Sequence, residues 1–251
     1  MARFAELTGN GADAADFLAQ AARVKKAYND MFLHAEEGSY ANNTVTANII
    51  SLMQGLVPDS LAGRVFANVV EKTKGEFGSH VSTGLIGIQF LMRGLTQYGA
   101  GDLAYTIATN RTYPSWGYMA DKGATTIWEL WNGDTADPAM NSGNHVMLLG
   151  DLVVWYYENL AGIRSDAEQA GFKKIVMDPY FPEGLDWVKA STESMYGRIV
   201  SEWTKTDKGL VWKIEIPANT TASVRIPAAD VELVTEGGAP LLQNPSVRSA
   251  V

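Results

Sequence analysis

Residues Ser79–Gly133 read SHVSTGLIGIQFLMRGLTQYGAGDLAYTIATNRTYPSWGYMADKGATTIWELWNG. Two kinds of text alternate in this stretch. Ser82–Gly99 and Gly101–Asn110 carry apolar residues at three-to-four spacing, which predicts one helix and a shorter one after it. Around these helices stand loops rich in chemically capable groups. His80, Ser82 and Thr83 precede the first helix; Tyr113, Pro114, Trp116 and Tyr118 follow the second; Trp128, Glu129 and Trp131 come next.

Toward the N-terminus the helical period continues. Asp13–Phe32 sets Phe17, Leu18, Ala21, Val24, Ala27, Tyr28 and Met31 on one side. Thr44–Pro58 repeats the pattern and stops at Gly55 and Pro58, and Ser60–Gly75 is a further helix closed by its glycine. Toward the C-terminus, His145–Gly162 makes a sixth helix. Short loops separate most of these helices, so neighbours are expected to be antiparallel hairpins. Residues from about 12 to 162 are therefore expected to be helical.

The period changes after about residue 170. Phe172–Pro179, Leu185–Ser194, Tyr196–Asp207, Gly209–Pro217 and Thr221–Pro227 alternate, or run, with β-branched and aromatic residues. Thr206–Gly209 (TDKG) is a hairpin turn, and Pro179, Pro182, Pro217 and Pro227 punctuate the strands. The expectation is an α+β multidomain chain: residues 1–165 helical and residues 166–251 a small antiparallel β-sandwich, with the boundary near Gly162–Gly171.

Composition narrows the function. The 251 residues carry a net charge of −8 and no basic stripe, which argues against nucleic acid and against anionic membrane surfaces. No apolar run approaches the roughly 20 residues that span a bilayer. The N-terminal MARFAELTG lacks the apolar core of a signal peptide, and the absence of cysteine leaves the compartment open. Without cysteine and with only His34, His80 and His145, no metal site is expected, and no cofactor. Seven tryptophans are the one excess; flat aromatic faces suit sugars, but they are also ordinary core material.

Among the candidates, Glu129 stands out. A glutamate is ordinarily a solvated carboxylate, but Trp128 and Trp131 beside it are expected to desolvate the group, which raises its pKa and suits acid–base work near neutral pH. His145 opens the last helix after Asn144, and a histidine there is often only a partner for backbone. His80 is expected to hold a neighbouring loop, and His34 to be structural. Trp116 reads equally as core. Asp134 and Asp137 are expected to serve the turn between Gly133 and Pro138.

The opening run, continued by NHVMLLGDLVVWYYENLAGI (Asn144–Ile163), resembles the C-terminal half of the catalytic domain of bacterial α-L-rhamnosidases. YPSWGYM and GATTIWE are the most specific phrases, and the match covers residues 12–165. The resemblance implies part of an α/α six-hairpin toroid followed by a small β-sandwich, and inverting hydrolysis of α-L-rhamnosides with a rhamnose-containing glycan or glycoside as partner. It implies that Glu129 is the general base and that His145 lies in the rhamnose pocket, with Trp116, Trp128 and Trp131 near it.

The family's general acid lies in an acidic, Arg- and Trp-rich motif upstream of the base, and nothing between Met1 and Gly123 matches it. Glu36 and Glu37 are the nearest carboxylates but lack those surroundings. Six helices are half of a twelve-helix toroid. The chain is therefore expected to be part of a longer enzyme, inactive in isolation, with an exposed apolar face through which it self-associates. A non-catalytic carbohydrate-binding or assembly module, or a toroid hydrolase acting on another sugar, are the alternatives.

Overall fold

A computed structural model of the chain describes residues 1–145 and 147–247. Two compact units emerge, one of residues 1–156 with 182–184, the other of residues 157–181 with 185–251.

The first unit is helical. Its elements are α1 (Ala2–Leu7), α2 (Gly11–Phe32), a two-residue hairpin β1 (Leu33–His34) and β2 (Ser39–Tyr40), α3 (Val45–Met53), α4 (Asp59–Gly75), α5 (Leu85–Gln97), α6 (Gly101–Thr109), α7 (Trp116–Asp121) and α8 (Met147–Trp155). The Thr44 hydroxyl caps α3 by accepting the Ala47 amide at 3.1 Å, and Gly55 turns the chain out of it at a φ of 64°. Asp59 in the first turn of α4 and Lys72 and Lys74 in its last turn oppose the helix dipole.

Helix α5 is the axis of this core, with Ile88, Leu91, Met92 and Leu95 all fully buried. It approaches α3 closely because it carries glycine on that side. A Cβ at Gly94 would stand 2.6 Å from Ile49 Cδ1, and one at Gly87 2.6 Å from the Thr46 hydroxyl. Helix α8 joins through polar contacts: the buried Trp155 indole donates to the Thr96 hydroxyl at 2.8 Å, and Arg93 pairs with Asp151 at 3.0 Å. The helix expected from His145 begins at Met147; Val146 lies outside the described residues. Residues Tyr156–Leu160 form a π-helical turn.

The apolar stripe expected on α2 is mostly exposed: Leu18, Val24 and Met31 are 56, 58 and 72% accessible, as are Phe4 and Leu7 of α1 at 69 and 70%. Helix α2 leans on the end of α3 through a rotated, more polar edge. Tyr28 bonds the Ser51 hydroxyl at 2.9 Å, Asn29 donates to the Leu56 carbonyl at 2.9 Å, and Lys25 donates to that of Gly55 at 2.7 Å. The buried Tyr40 fixes the hairpin to both helices: its hydroxyl donates to Asn29 at 2.5 Å and its amide to the Asn48 side chain at 2.8 Å.

The second unit is β-rich: β3 (Ile163–Ser165), β4 (Lys174–Met177), β5 (Trp187–Ser194), β6 (Gly197–Thr206), β7 (Gly209–Glu215), β8 (Thr221–Val224) and a small hairpin β9 (Thr235–Glu236) and β10 (Ala239–Pro240). One three-stranded sheet is the antiparallel meander β5–β6–β7, and the other has the order β3–β4–β8. The antiparallel expectation fails at one place: β4 and β8 run parallel, with Lys174 opposite Thr221. Strand β8 arrives after the whole meander, so the chain re-enters the sheet in the same direction as β4 instead of turning back against it. The core gathers Ala161, Ile163, Ile175, Met177 and Ile199, with Trp203 fully buried nearby along β6. On one face of β6 Ile199, Ser201 and Trp203 are buried; on the other Arg198 and Thr204 are exposed and Glu202 is partly so, but Val200 is buried as well.

Candidate active site

Two loops of the helical unit are bound to each other without forming a ladder. The first, Ile127–Trp131, follows α7; the second, Asn141–His145, leads into α8. The Glu129 amide donates to the Ser142 carbonyl at 2.9 Å, and the His145 amide to the Ile127 carbonyl at 2.6 Å. The Leu130 amide donates to Asn141 Oδ1 at 3.1 Å, and the Thr126 hydroxyl donates to the Gly143 carbonyl. In return, the Ser142 amide donates to Glu129 Oε2 at 3.1 Å. His145 Nδ1 stands 3.9 Å from that same oxygen, with the imidazole 18% and the carboxylate side chain 44% accessible.

Glu129 is therefore not buried between two indoles. Both rings are engaged elsewhere. Trp128 lies over Gly133, where a Cβ would stand 2.6 Å from the indole, so glycine is what lets the ring close on the backbone. Trp131 meets Trp116 edge-on, with ring centroids 5.4 Å apart at 83°. The enclosure expected from Trp128 and Trp131 is not what the fold builds: the carboxylate side chain is 44% accessible, with the Ser142 amide and His145 on one of its oxygens.

Trp116 opens α7, where the Ser115 hydroxyl caps the helix by accepting the Tyr118 amide at 2.9 Å. The ring is 7% accessible, and its indole N–H is buried with no hydrogen-bond partner among the described residues. A buried donor without a partner costs on the order of 1–3 kcal/mol. Trp116 is thus part of the core by burial, and it touches the loop of Glu129 through Trp131.

The remaining candidates divide. His80 holds a loop, as expected: its Nε2 lies 2.7 Å from the Thr112 hydroxyl, and its Nδ1 lies 3.0 Å from the Phe77 carbonyl. His34 closes its own turn against the Ala41 carbonyl at 3.0 Å. Asp137 serves the turn by accepting the Ala139 amide at 2.9 Å. Asp134 bonds outside the turn it was expected to serve. Both its oxygens accept the Tyr118 hydroxyl at 3.0 Å, and Lys122 stands 3.9 Å away. This binds the loop after Trp131 to α7. Glu37 accepts the Ser39 hydroxyl at 3.2 Å, and Arg64 donates to the Glu36 carbonyl at 3.0 Å, so this pair belongs to the β1–β2 turn. Among the described residues, no cluster of three or more His, Asp or Glu side chains could hold a metal ion.

Asn141, Ser142 and Thr126 escaped the sequence reading. The signal lies in NSGNHV (Asn141–Val146), where His145 alone carries obvious chemistry. Asn and Ser ahead of a helix are usually turn formers, and nothing local says that they face a loop 11 to 13 residues upstream.

Comparison with known proteins places both units. Residues 1–160 match the model of the bacterial alpha-L-rhamnosidase 6 hairpin glycosidase domain, and residues 162–239 match that of the bacterial alpha-L-rhamnosidase C-terminal domain. The chain is 36% identical over 227 residues to an alpha-L-rhamnosidase of Streptomyces avermitilis, covering 87% of this chain and 21% of that protein. It is 31% identical over 248 residues to one from Formosa agariphila, covering 95% of this chain and 25% of that protein. The crystal structure of the Streptomyces avermitilis enzyme complexed with L-rhamnose superposes with a TM-score of 0.85 at 33% identity, covering 95% of this chain and 24% of that one. The structure of the enzyme from Dictyoglumus thermophilum gives 0.85 at 32% identity, covering 91% of this chain and 26% of that one. The chain thus spans about a quarter of the length of these relatives.

Proposed function

The chain belongs to the bacterial α-L-rhamnosidase family, and from that premise we propose that it supplies the base side of an active site for inverting hydrolysis of terminal α-L-rhamnosides. The observation that carries this reading is the Glu129–His145 pair. A half-exposed carboxylate, anchored at Oε2 by a backbone amide, stands 3.9 Å from an imidazole on a facing loop. In an inverting reaction a base removes a proton from the water attacking one face of the sugar, while an acid protonates the leaving oxygen on the other face. The two carboxyls stand about 6.5–9.5 Å apart to admit that water. Glu129 is the base in this reading. Glu36 and Glu37 belong to their own turn, and no residue of the chain is assigned as the acid, so hydrolysis by the 251 residues alone is not expected.

His145, Trp116, Trp128 and Trp131 form the rhamnose pocket in this proposal. The imidazole bonds a sugar hydroxyl, and the partly exposed indoles of Trp128 and Trp131 offer apolar surface to the C–H face of the ring, with the buried Trp116 backing Trp131. The L-rhamnose complex of the Streptomyces avermitilis relative supports the choice of sugar. L-rhamnose should bind the chain saturably but weakly, because only part of its surface is enclosed. His145→Ala is expected to weaken that binding by roughly 1–3 kcal/mol if one buried hydrogen bond is lost. Calorimetric titration of both proteins decides: equal affinities remove His145 from the pocket, and no binding to either removes the pocket.

We also propose that the exposed apolar residues of α1 and α2 are a docking face through which the isolated chain self-associates. Phe4, Leu7, Leu18, Val24 and Met31 are each more than half exposed, and exposed apolar surface of this kind suits an interaction face. Sedimentation should give a concentration-dependent mass above 27.2 kDa. Val24→Glu together with Met31→Glu should return the chain to a monomer. A clean monomer for the unaltered chain at high concentration would rule out association through this face.

A further inference from the structure

We infer that Asn141 is a positioning residue for Glu129: by accepting the Leu130 amide it fixes the backbone beside the base, so that Oε2 stays on the Ser142 amide and Oε1 takes the proton. The inference rests on the reading of Glu129 as general base.

Two consecutive amides, those of Glu129 and Leu130, donate into the same dipeptide, one to the Ser142 carbonyl at 2.9 Å and the other to the Asn141 side chain at 3.1 Å. Fixing both peptide planes fixes the direction in which the Glu129 side chain leaves the backbone. The Ser142 amide then captures Oε2 at 3.1 Å, and His145 stands beside that same oxygen. Oε1 takes no hydrogen bond among the described residues, which leaves it as the oxygen that faces an attacking water. A carboxylate held at one oxygen presents the other in a single direction, and misplacing a reacting group by about 1 Å can cost on the order of 10²-fold in rate.

The other end of the two loops is held independently, by the Ile127–His145 and Thr126–Gly143 bonds. Removing the Asn141 acceptor therefore leaves the Glu129 end held only by its two bonds to Ser142, without opening the whole pair. Leu130 is exposed, so its freed amide turns to water at little cost in stability. The effect falls on the geometry of the base.

The test uses Asn141→Leu and Asn141→Asp within a full-length enzyme carrying this chain, assayed on an aryl α-L-rhamnoside. Asn141→Leu should lower kcat by about 10²-fold with KM within about twofold. Asn141→Asp keeps an acceptor for the Leu130 amide and should restore most of kcat, with the acid limb of the pH–rate profile moved upward by the added charge. In a Glu129→Gln background, Asn141→Leu should change nothing further, because its action passes through the carboxylate. On the isolated chain, Asn141→Leu should speed hydrogen exchange of the Leu130 amide by at least about tenfold, with the His145 amide unchanged.

A normal kcat in Asn141→Leu, unchanged exchange at Leu130, or a further 10²-fold loss on top of Glu129→Gln would each overturn the inference. Glu129→Gln alone, measured in the same assay, separates the two levels. If it turns over normally, the base assignment has failed and the positioning role with it. If it is impaired while Asn141→Leu is not, the positioning role alone has failed.

Discussion

Glu129→Gln should abolish nearly all turnover of a full-length enzyme carrying this chain while leaving sugar binding in place. Glutamine has the shape of glutamate, and its side-chain oxygen still accepts the Ser142 amide, which the wild-type carboxylate takes at 3.1 Å. The loop pair therefore survives. What the amide cannot do is take a proton from water. A positioned base contributes about 10²–10⁴-fold, or roughly 3–5 kcal/mol of barrier, so kcat should fall by at least that much with KM little changed. Azide is an anionic nucleophile that arrives without a proton to lose. On a substrate with an activated leaving group it should partly restore turnover in Glu129→Gln, and a single displacement by azide should give the inverted rhamnosyl azide. The decisive comparison is an aryl α-L-rhamnoside assay on wild type and variant, with and without azide. Near-normal turnover by Glu129→Gln would end the base assignment, whatever azide does.

Trp203→Ala should unfold the β-rich unit under conditions in which the wild type is stable. Trp203 is fully buried on β6, and its indole donates to the Leu160 carbonyl at 2.7 Å. Its ring meets Phe181 edge-on at 5.0 Å. Beside it the buried Ser201 hydroxyl donates to the Ala161 carbonyl at 2.6 Å and accepts the Trp212 indole at 2.9 Å. Truncation leaves a cavity, worth about 3–5 kcal/mol for a tryptophan, and strips a buried carbonyl of its donor, for about 1–3 more. Against a typical total of roughly 5–15 kcal/mol, that loss is most or all of the stability of a small unit. Trp203→Phe keeps most of the volume and loses the donor, so it should fall between the two. Urea titration read by hydrogen exchange of β6 amides follows this unit separately from the helical one. A loss under 1 kcal/mol in Trp203→Ala would mean that the core does not depend on this ring.

Much of this architecture is written locally, and the exceptions have physical causes. Helix α3 stops where Gly55 and Pro58 predict, and β5, β6 and β7 occupy the stretches whose alternation announced them. Helix α7 was hidden in plain sight. Ser115 is an N-cap with its bond to the Tyr118 amide, but six residues carry too little periodicity to reveal a helix. Strand β3 is three residues long and is defined only by its partner Ile175–Met177 on β4. The stripe on α2 was correctly seen as apolar, but burial depends on what packs there, and the chain leans on Tyr28 and Asn29 instead. At the site, the motifs single out Glu129 and His145, and the fold brings both together. The environment inferred for Glu129 from Trp128 and Trp131 was wrong because adjacency in a loop does not determine where rings point. The partners that surround the carboxylate lie at Ser142 and His145, reachable only through the fold.

The parallel pairing of β4 with β8 sets an order of assembly. The meander β5–β6–β7 needs only tight turns, at Ser194–Gly197 and Thr206–Gly209, so its partners meet as soon as they are synthesised. Lys174 must instead wait for Thr221, with the whole meander in between. Contacts between residues distant in sequence carry a larger entropic cost of closure and form late. As the chain leaves the ribosome, the meander is therefore complete before the second sheet can close, and β4 spends that interval with one edge unpaired. The interval is when this unit is most open to pairing with a strand of another nascent chain.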